Sequence, residues 1–138
     1  MTPARSSAAG ALPAAEHRHL IENALALYCR AMDEHHAPAA ALLLADARLH
    51  FKDQPVRAGA QAIADFYAAA FQNPAPTRHL ISNIHVQADG LQINYLARYQ
   101  RWSLAGTQPA CETIGDYQGL FTSASGRWVW SEHRVLQY

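Results

Sequence analysis

Three side chains suited to proton transfer draw attention by type and spacing: Tyr28 and Asp33 near the end of one apolar-periodic segment, and His79 at the start of an alternating one. A neutral imidazole beside a carboxylate takes a proton from carbon or oxygen near neutral pH and returns it, while the carboxylate fixes tautomer and orientation. His79 and Asp33 are the candidates for such a dyad. A phenol directed into an apolar cavity donates to a carbonyl or a developing enolate, and Tyr28 is the candidate for that role. On a helix, residues five apart lie about 140° around the axis, so Tyr28 and Asp33 do not stack. They either flank a wide pocket or play unrelated parts, Tyr28 as a core aromatic and Asp33 as a solvated helix end. Under strict alternation His79, Ile81, Asn83 and His85 share one strand face. If that face is concave, it turns polar groups inward at a cost that asks for a function.

Other chemistries fit this chain less well. It has eight histidines, but His17/His19 and His35/His36 have spacings that diverge on a helix, so no metal is expected. There is no Gly-x-Ser-x-Gly elbow, and neither Cys29 nor Cys111 has a local base, which argues against a covalent nucleophile. The two cysteines also lack CxxC or Cys/His spacing and read as free thiols of a reducing compartment. Met1 to Ala15 contains no continuous apolar core of the secretory type, and no stretch is long enough to cross a bilayer. A cytoplasmic protein without a membrane partner is expected. Eleven Lys plus Arg balance eleven Asp plus Glu, and no basic run is interleaved with aromatics, so nucleic acid is not expected as a partner.

The elements that must position these groups follow from periodicity. The length of 138 residues, with half of them hydrophobic and 16% charged, suits one folded domain. Residues 1–15 are rich in Ala, Pro, Ser and Gly and read as a flexible tail; residues 16–138 form the domain. From Glu16 to about Glu34, Leu20, Ile21, Ala24, Leu25, Tyr28, Ala31 and Met32 recur at helical steps. Pro38 opens a shorter helix through Ala45, and Ile63, Phe66, Tyr67, Ala70 and Phe71 mark a third over Ala60 to Gln72. A short strand covers Arg48 to Lys52. After Thr77 the chain reads as a strand meander: Thr77 to Gln87, Leu91 to Leu104, Ala110 to Thr122 and Arg127 to Gln137, with turns at Asp89-Gly90 and Gly106. In the second of these, Leu91, Ile93, Tyr95, Ala97 and Tyr99 fall on the buried face. Three helices followed by such a meander predict an α+β domain whose sheet curls over the helices and leaves a cavity. The opposite sheet face, carrying Trp102 and either Trp128 or Trp130, is large enough to suggest a homodimer.

The segments Leu27-Tyr28-Cys29-Arg30-Ala31-Met32-Asp33, Gly59-Ala60-Gln61-Ala62-Ile63 and Thr77-Arg78-His79-Leu80-Ile81-Ser82-Asn83 together resemble the SnoaL-like family. Gly115-Asp116-Tyr117 and Gly126-Arg127-Trp128-Val129-Trp130 fit as well. The resemblance implies the nuclear transport factor 2-like fold, a cone of curved antiparallel sheet closed by helices. Within it the chain is most similar to scytalone dehydratase and the bile-acid 7α-dehydratase group. Tyr28, Asp33 and His79 match the positions where those relatives carry a Tyr and an Asp on the first helix and a His on the long strand. Such a resemblance implies a cofactor-independent lyase or isomerase, a dehydratase above all, acting on a small, mostly apolar, cyclic hydroxy-ketone. It further suggests Arg134 and His50 as pocket residues, alongside Asn83 and Tyr99. The departure is the later strand, where relatives supply a second polar group and only Tyr95, Tyr99 or Arg101 is at hand here. The same cone also serves non-catalytic domains, and the alternative is a ligand-binding or assembly domain like the β subunit of a ring-hydroxylating dioxygenase.

Overall fold

The computed structural model describes residues 14–138, so the tail expected over residues 1–15 lies almost wholly outside the described residues. The first helix, α1 (Ala15–Asp33), buries Ile21, Ala24, Leu25, Tyr28 and Met32 along one side, the three- and four-residue steps of the sequence. It stops where His35 adopts a left-handed φ of 53°, a conformation that reverses the chain after a helix. His36 then caps α2 (Ala37–Leu43), its Nδ1 accepting from the Ala39 N–H at 3.0 Å, with Pro38 in the first turn where no donor is missed. Strands β1 (Arg48–Phe51) and β2 (Arg57–Ala58) precede α3 (Ala60–Ala70), and the rest is β3 (Thr77–Asp89), β4 (Gln92–Ser103), β5 (Ala110–Ala124) and β6 (Arg127–Gln137).

These strands form one curved, unclosed six-stranded sheet in the order β2-β1-β6-β5-β4-β3. β3 to β6 make the expected antiparallel meander. β1 adds to it in parallel, Leu49 opposite His133, which makes the sheet mixed rather than wholly antiparallel. The helices cover the concave face, and the core between the layers includes Leu25, Tyr28, Ile63, Tyr67, Ile93, Tyr95, Tyr99 and Tyr117. The α+β cone is the architecture.

Two irregularities decide which side chains face the core. On β3 the register shifts between Ser82 and His85, and Asn83 sits at φ 54° inside the bulge. An extra residue inverts the alternation, so Thr77, His79 and Ile81 point inward on one side of it, while Val86 is the buried residue beyond. On β6 a second shift, opposite Leu120 and Phe121, places Trp130, His133 and Val135 inward. Leu91, expected to begin the buried face of β4, lies in the turn with Gly90 and is 71% exposed.

Two glycines on β5 let the core close. A Cβ on Gly115 would lie 2.0 Å from the Leu136 carbonyl oxygen and 2.6 Å from Cε1 of Tyr99; one on Gly119 would lie 2.3 Å from the Tyr95 hydroxyl. Each absent side chain is the space across which a β4 tyrosine lies. The tryptophans divide differently from expectation: Trp130 is buried in the core, and Trp102 lies on the convex face, where its Nε1–H donates to Gln100 at 2.8 Å.

Candidate active site

The concave face and α3 enclose a cavity of about 320 Å³. Its wall is rich in aromatic rings, with Tyr28, Phe51, Phe66, Tyr67, Tyr99 and Tyr117 prominent, a lining suited to a small ring system.

His79 is the polar group held most tightly in that wall. Its Nδ1 lies 2.6 Å from Oδ1 of Asp33, and its backbone N–H donates to Oδ2 of the same carboxylate at 3.0 Å. The Thr77 hydroxyl donates to Oδ1 at 3.1 Å. Asp33 is thus the last residue of α1 gripping the first residues of β3, which is why a helix end and a strand start meet here. An ionised carboxylate only accepts, so Nδ1 carries the hydrogen and Nε2 is left as the basic nitrogen. Burial lowers the imidazole pKa below its ordinary 6.5; the Asp33 carboxylate opposes that shift, while the charges of Arg101 and His35 add to it. His79 is consequently neutral at pH 7. Its ring also stacks on Tyr99, with centroids 6.2 Å apart and planes 23° from parallel, and Tyr99 stacks in turn on Tyr117 at 4.3 Å.

Across the cavity the hydroxyls of Tyr28 and Tyr67 are 2.6 Å apart. Burial raises the pKa of both phenols, which stay protonated and act as donors. In such a pair one hydroxyl donates to the other, and the accepting hydroxyl keeps its own proton free for a ligand oxygen.

Of the residues singled out from sequence, the structure brings Asp33 and His79 into direct contact and gathers Tyr28, His79 and Tyr99 around one cavity. Three others lie elsewhere. Asn83 is exposed because the bulge turns it outward. His50 sits between the inward residues Leu49 and Phe51 and therefore faces the convex side, 3.6 Å from Glu132. Arg134 occupies that same convex side and reaches Glu132 at 3.4 Å, since the bulge on β6 reverses the alternation that would carry it inward from Trp130. Sequence reasoning missed Tyr67, Tyr117 and His133. Helical spacing already set Tyr67 on the face of Ile63 and Phe71, a signal that was present; nothing in the sequence announced the bulge that buries His133. Cys29 is buried, and burial pushes its thiol up to about 12, so it offers no thiolate near neutral pH. Among the described residues no cluster of three or more His, Cys, Asp or Glu is arranged to hold a metal ion, and no helix is long and apolar enough to cross a membrane.

A curled sheet over three helices, with a partly buried histidine-carboxylate pair facing a small hollow rich in aromatic rings, defines a pocket-bearing domain of the nuclear transport factor 2-like, or cystatin-like, class. Residues 13–134 match the SnoaL-like domain, and the chain belongs to that family. No curated protein matches the sequence. Similar solved structures include a protein assigned as a scytalone dehydratase from Novosphingobium aromaticivorans, 15% identical over 91% of this chain and 89% of that one, with a TM-score of 0.70. A hexachlorocyclohexane dehydrochlorinase, LinA type 2, is 16% identical over 88% of this chain and 85% of that one, with a TM-score of 0.72. The β subunit of a protein assigned as an aromatic-ring-hydroxylating dioxygenase from Novosphingobium aromaticivorans is 17% identical over 85% and 86%, with a TM-score of 0.69. At these identities the likeness is one of fold.

Proposed function

We propose that this protein is a cofactor-independent lyase that removes water from a small cyclic hydroxy-ketone, with His79 as the general acid/base. The observation that carries the reading is the 2.6 Å contact between His79 and Asp33 at the wall of an apolar cavity. Nε2 of the neutral imidazole takes the proton on the carbon next to the ketone. Asp33 holds the ring and stabilises the imidazolium that forms. The Tyr28–Tyr67 pair donates a hydrogen bond to the ketone oxygen as enolate charge develops. The imidazolium then returns its proton to the departing hydroxyl, the carbon-oxygen bond breaks, and an enone and water leave. Every proton is accounted for within the pocket, and the same groups serve an isomerisation if the proton returns to carbon instead.

A non-catalytic domain of the dioxygenase β-subunit type needs the cavity but not an imidazole oriented by a partly buried carboxylate, which favours the lyase. Incubating the protein with cyclic β-hydroxy-ketones and following the ultraviolet band of the conjugated enone tests this. His79→Ala is expected to abolish turnover while leaving the fold, read by circular dichroism, and ligand affinity in place; unchanged turnover in that variant would eliminate the mechanism.

A further inference from the structure

The cavity wall holds a guanidinium that the proposed dehydration does not use. Arg101 lines the wall from β4, directly opposite His79 in the β3–β4 register. Its guanidinium is only partly engaged. One terminal nitrogen donates to the Thr113 hydroxyl at 3.2 Å, and Nε, itself covered although the side chain is 38% exposed, is paired with the Glu112 carboxylate at 3.5 Å without a hydrogen bond. Glu112 also lines the cavity; it sits at the irregularity where Arg101 and Trp102 pair across to Thr113 and Cys111, and its side chain is 47% exposed. A half-exposed carboxylate held at that distance contributes little binding energy and is easily displaced. A guanidinium fork, by contrast, binds a carboxylate through two parallel hydrogen bonds.

We propose that the ligand of this cavity carries a carboxylate, bound by Arg101 in the place that Glu112 occupies loosely in its absence. The apolar ring system then lies against Tyr99 and Tyr117, and the acid group fixes which ring carbon faces His79. Glu112 acts as an internal competitor that keeps the guanidinium neutralised until an acid arrives. The proposal rests on the cavity being the substrate site, and it adds a substrate class to that reading: cyclic hydroxy-keto acids rather than neutral hydroxy-ketones.

Two bicyclic probes that differ only in the group of interest, 2-naphthoate and 2-naphthol, test it by calorimetric titration of the full chain. The acid is expected to bind about tenfold more tightly than the phenol, the scale of a charge-assisted hydrogen bond. Arg101→Gln is expected to erase that preference with naphthol affinity unchanged. Glu112→Gln is expected to strengthen naphthoate binding several-fold, an effect of opposite sign that a damaged fold does not produce. Equal affinity for both probes in the unaltered protein, or a preference that survives Arg101→Gln, overturns the carboxylate proposal alone. Binding of neither probe overturns the ligand pocket itself, and the proposal with it. Because no turnover is measured, loss of the lyase reading leaves these outcomes interpretable.

Discussion

At the scale of single residues, the functional argument reduces to how one imidazole is held. Burial pulls the His79 pKa down and Asp33 pulls it back up, so the ring is a neutral base across the physiological range yet able to accept a proton in the transition state. The pH dependence has a definite sign. The base form is competent, so kcat/KM falls as pH drops through a value below 6.5. Replacing Asp33 by Asn removes the negative charge that favours the imidazolium. The acid limb of the profile then moves to still lower pH, and the limiting kcat falls by roughly 10²- to 10⁴-fold, the usual contribution of an acid-base group. A profile for Asp33→Asn with its acid limb moved to higher pH contradicts the assignment. Tyr28 belongs to the same scale: the sequence identified the residue, but its partner Tyr67 was visible only as one more aromatic on a helix face.

At the scale of elements, strand irregularities and glycines do the positioning. β5 presents Gly115 where Tyr99 must lie flat to stack between His79 and Tyr117. Gly115→Ala brings a methyl within 2.6 Å of that ring and against a backbone oxygen that cannot yield. Loss of about 1–3 kcal/mol in unfolding free energy is expected, together with weaker ligand binding, both read from denaturation in the presence and absence of a pocket ligand. Gly126, at the β5–β6 turn with φ 79°, differs in kind: a Cβ added there would meet nothing within 4 Å, so only the positive φ resists substitution and the cavity is untouched. The three helices, the four long strands and their turns were legible in the sequence, because apolar periods of 3.6 and 2 report local geometry directly. The bulges were not. One inserted residue leaves composition and pattern almost unchanged while it reverses the face of everything beyond it, and this alone moved Asn83 and Arg134 out of the pocket and His133 into the core.

At the scale of the whole molecule, two properties follow from what the sheet buries and what it leaves outside. His133 is fully buried, its Nδ1 2.7 Å from the Tyr95 hydroxyl, and burial lowers its pKa from 6.5 to about 3. The unfolded chain binds that proton at higher pH than the folded one. The stabilisation is therefore complete above pH 6.5 and is lost as pH falls from there toward 3, by up to about tenfold in the unfolding constant per pH unit. Urea midpoints measured across that window are expected to fall in the unaltered protein and to fall less steeply in His133→Phe. The convex face carries Leu96 and Ile114, each more than two-fifths exposed, and, further along β4 from Leu96, Trp102. We read that face as a homodimer contact: sedimentation is expected to give twice the mass of one chain and Leu96→Asp to give one chain's mass, whereas a monomer at every concentration sinks the reading.

By itself the sequence determined the class of fold, the buried face of β4 from Ile93 to Tyr99, and the candidacy of Tyr28, Asp33 and His79, since each depends on short-range periodicity or on residue type. Tertiary structure decided which candidates meet. Asp33 and His79 are 46 residues apart and become partners at 2.6 Å only because the end of α1 docks on the start of β3. The arginine that lines the cavity is Arg101 rather than Arg134 for an equally non-local reason, the bulge on β6 that depends on how that strand pairs with its neighbour. Local pattern fixes what each segment prefers to be, whereas the faces that segments turn to one another are settled when the sheet closes over the helices.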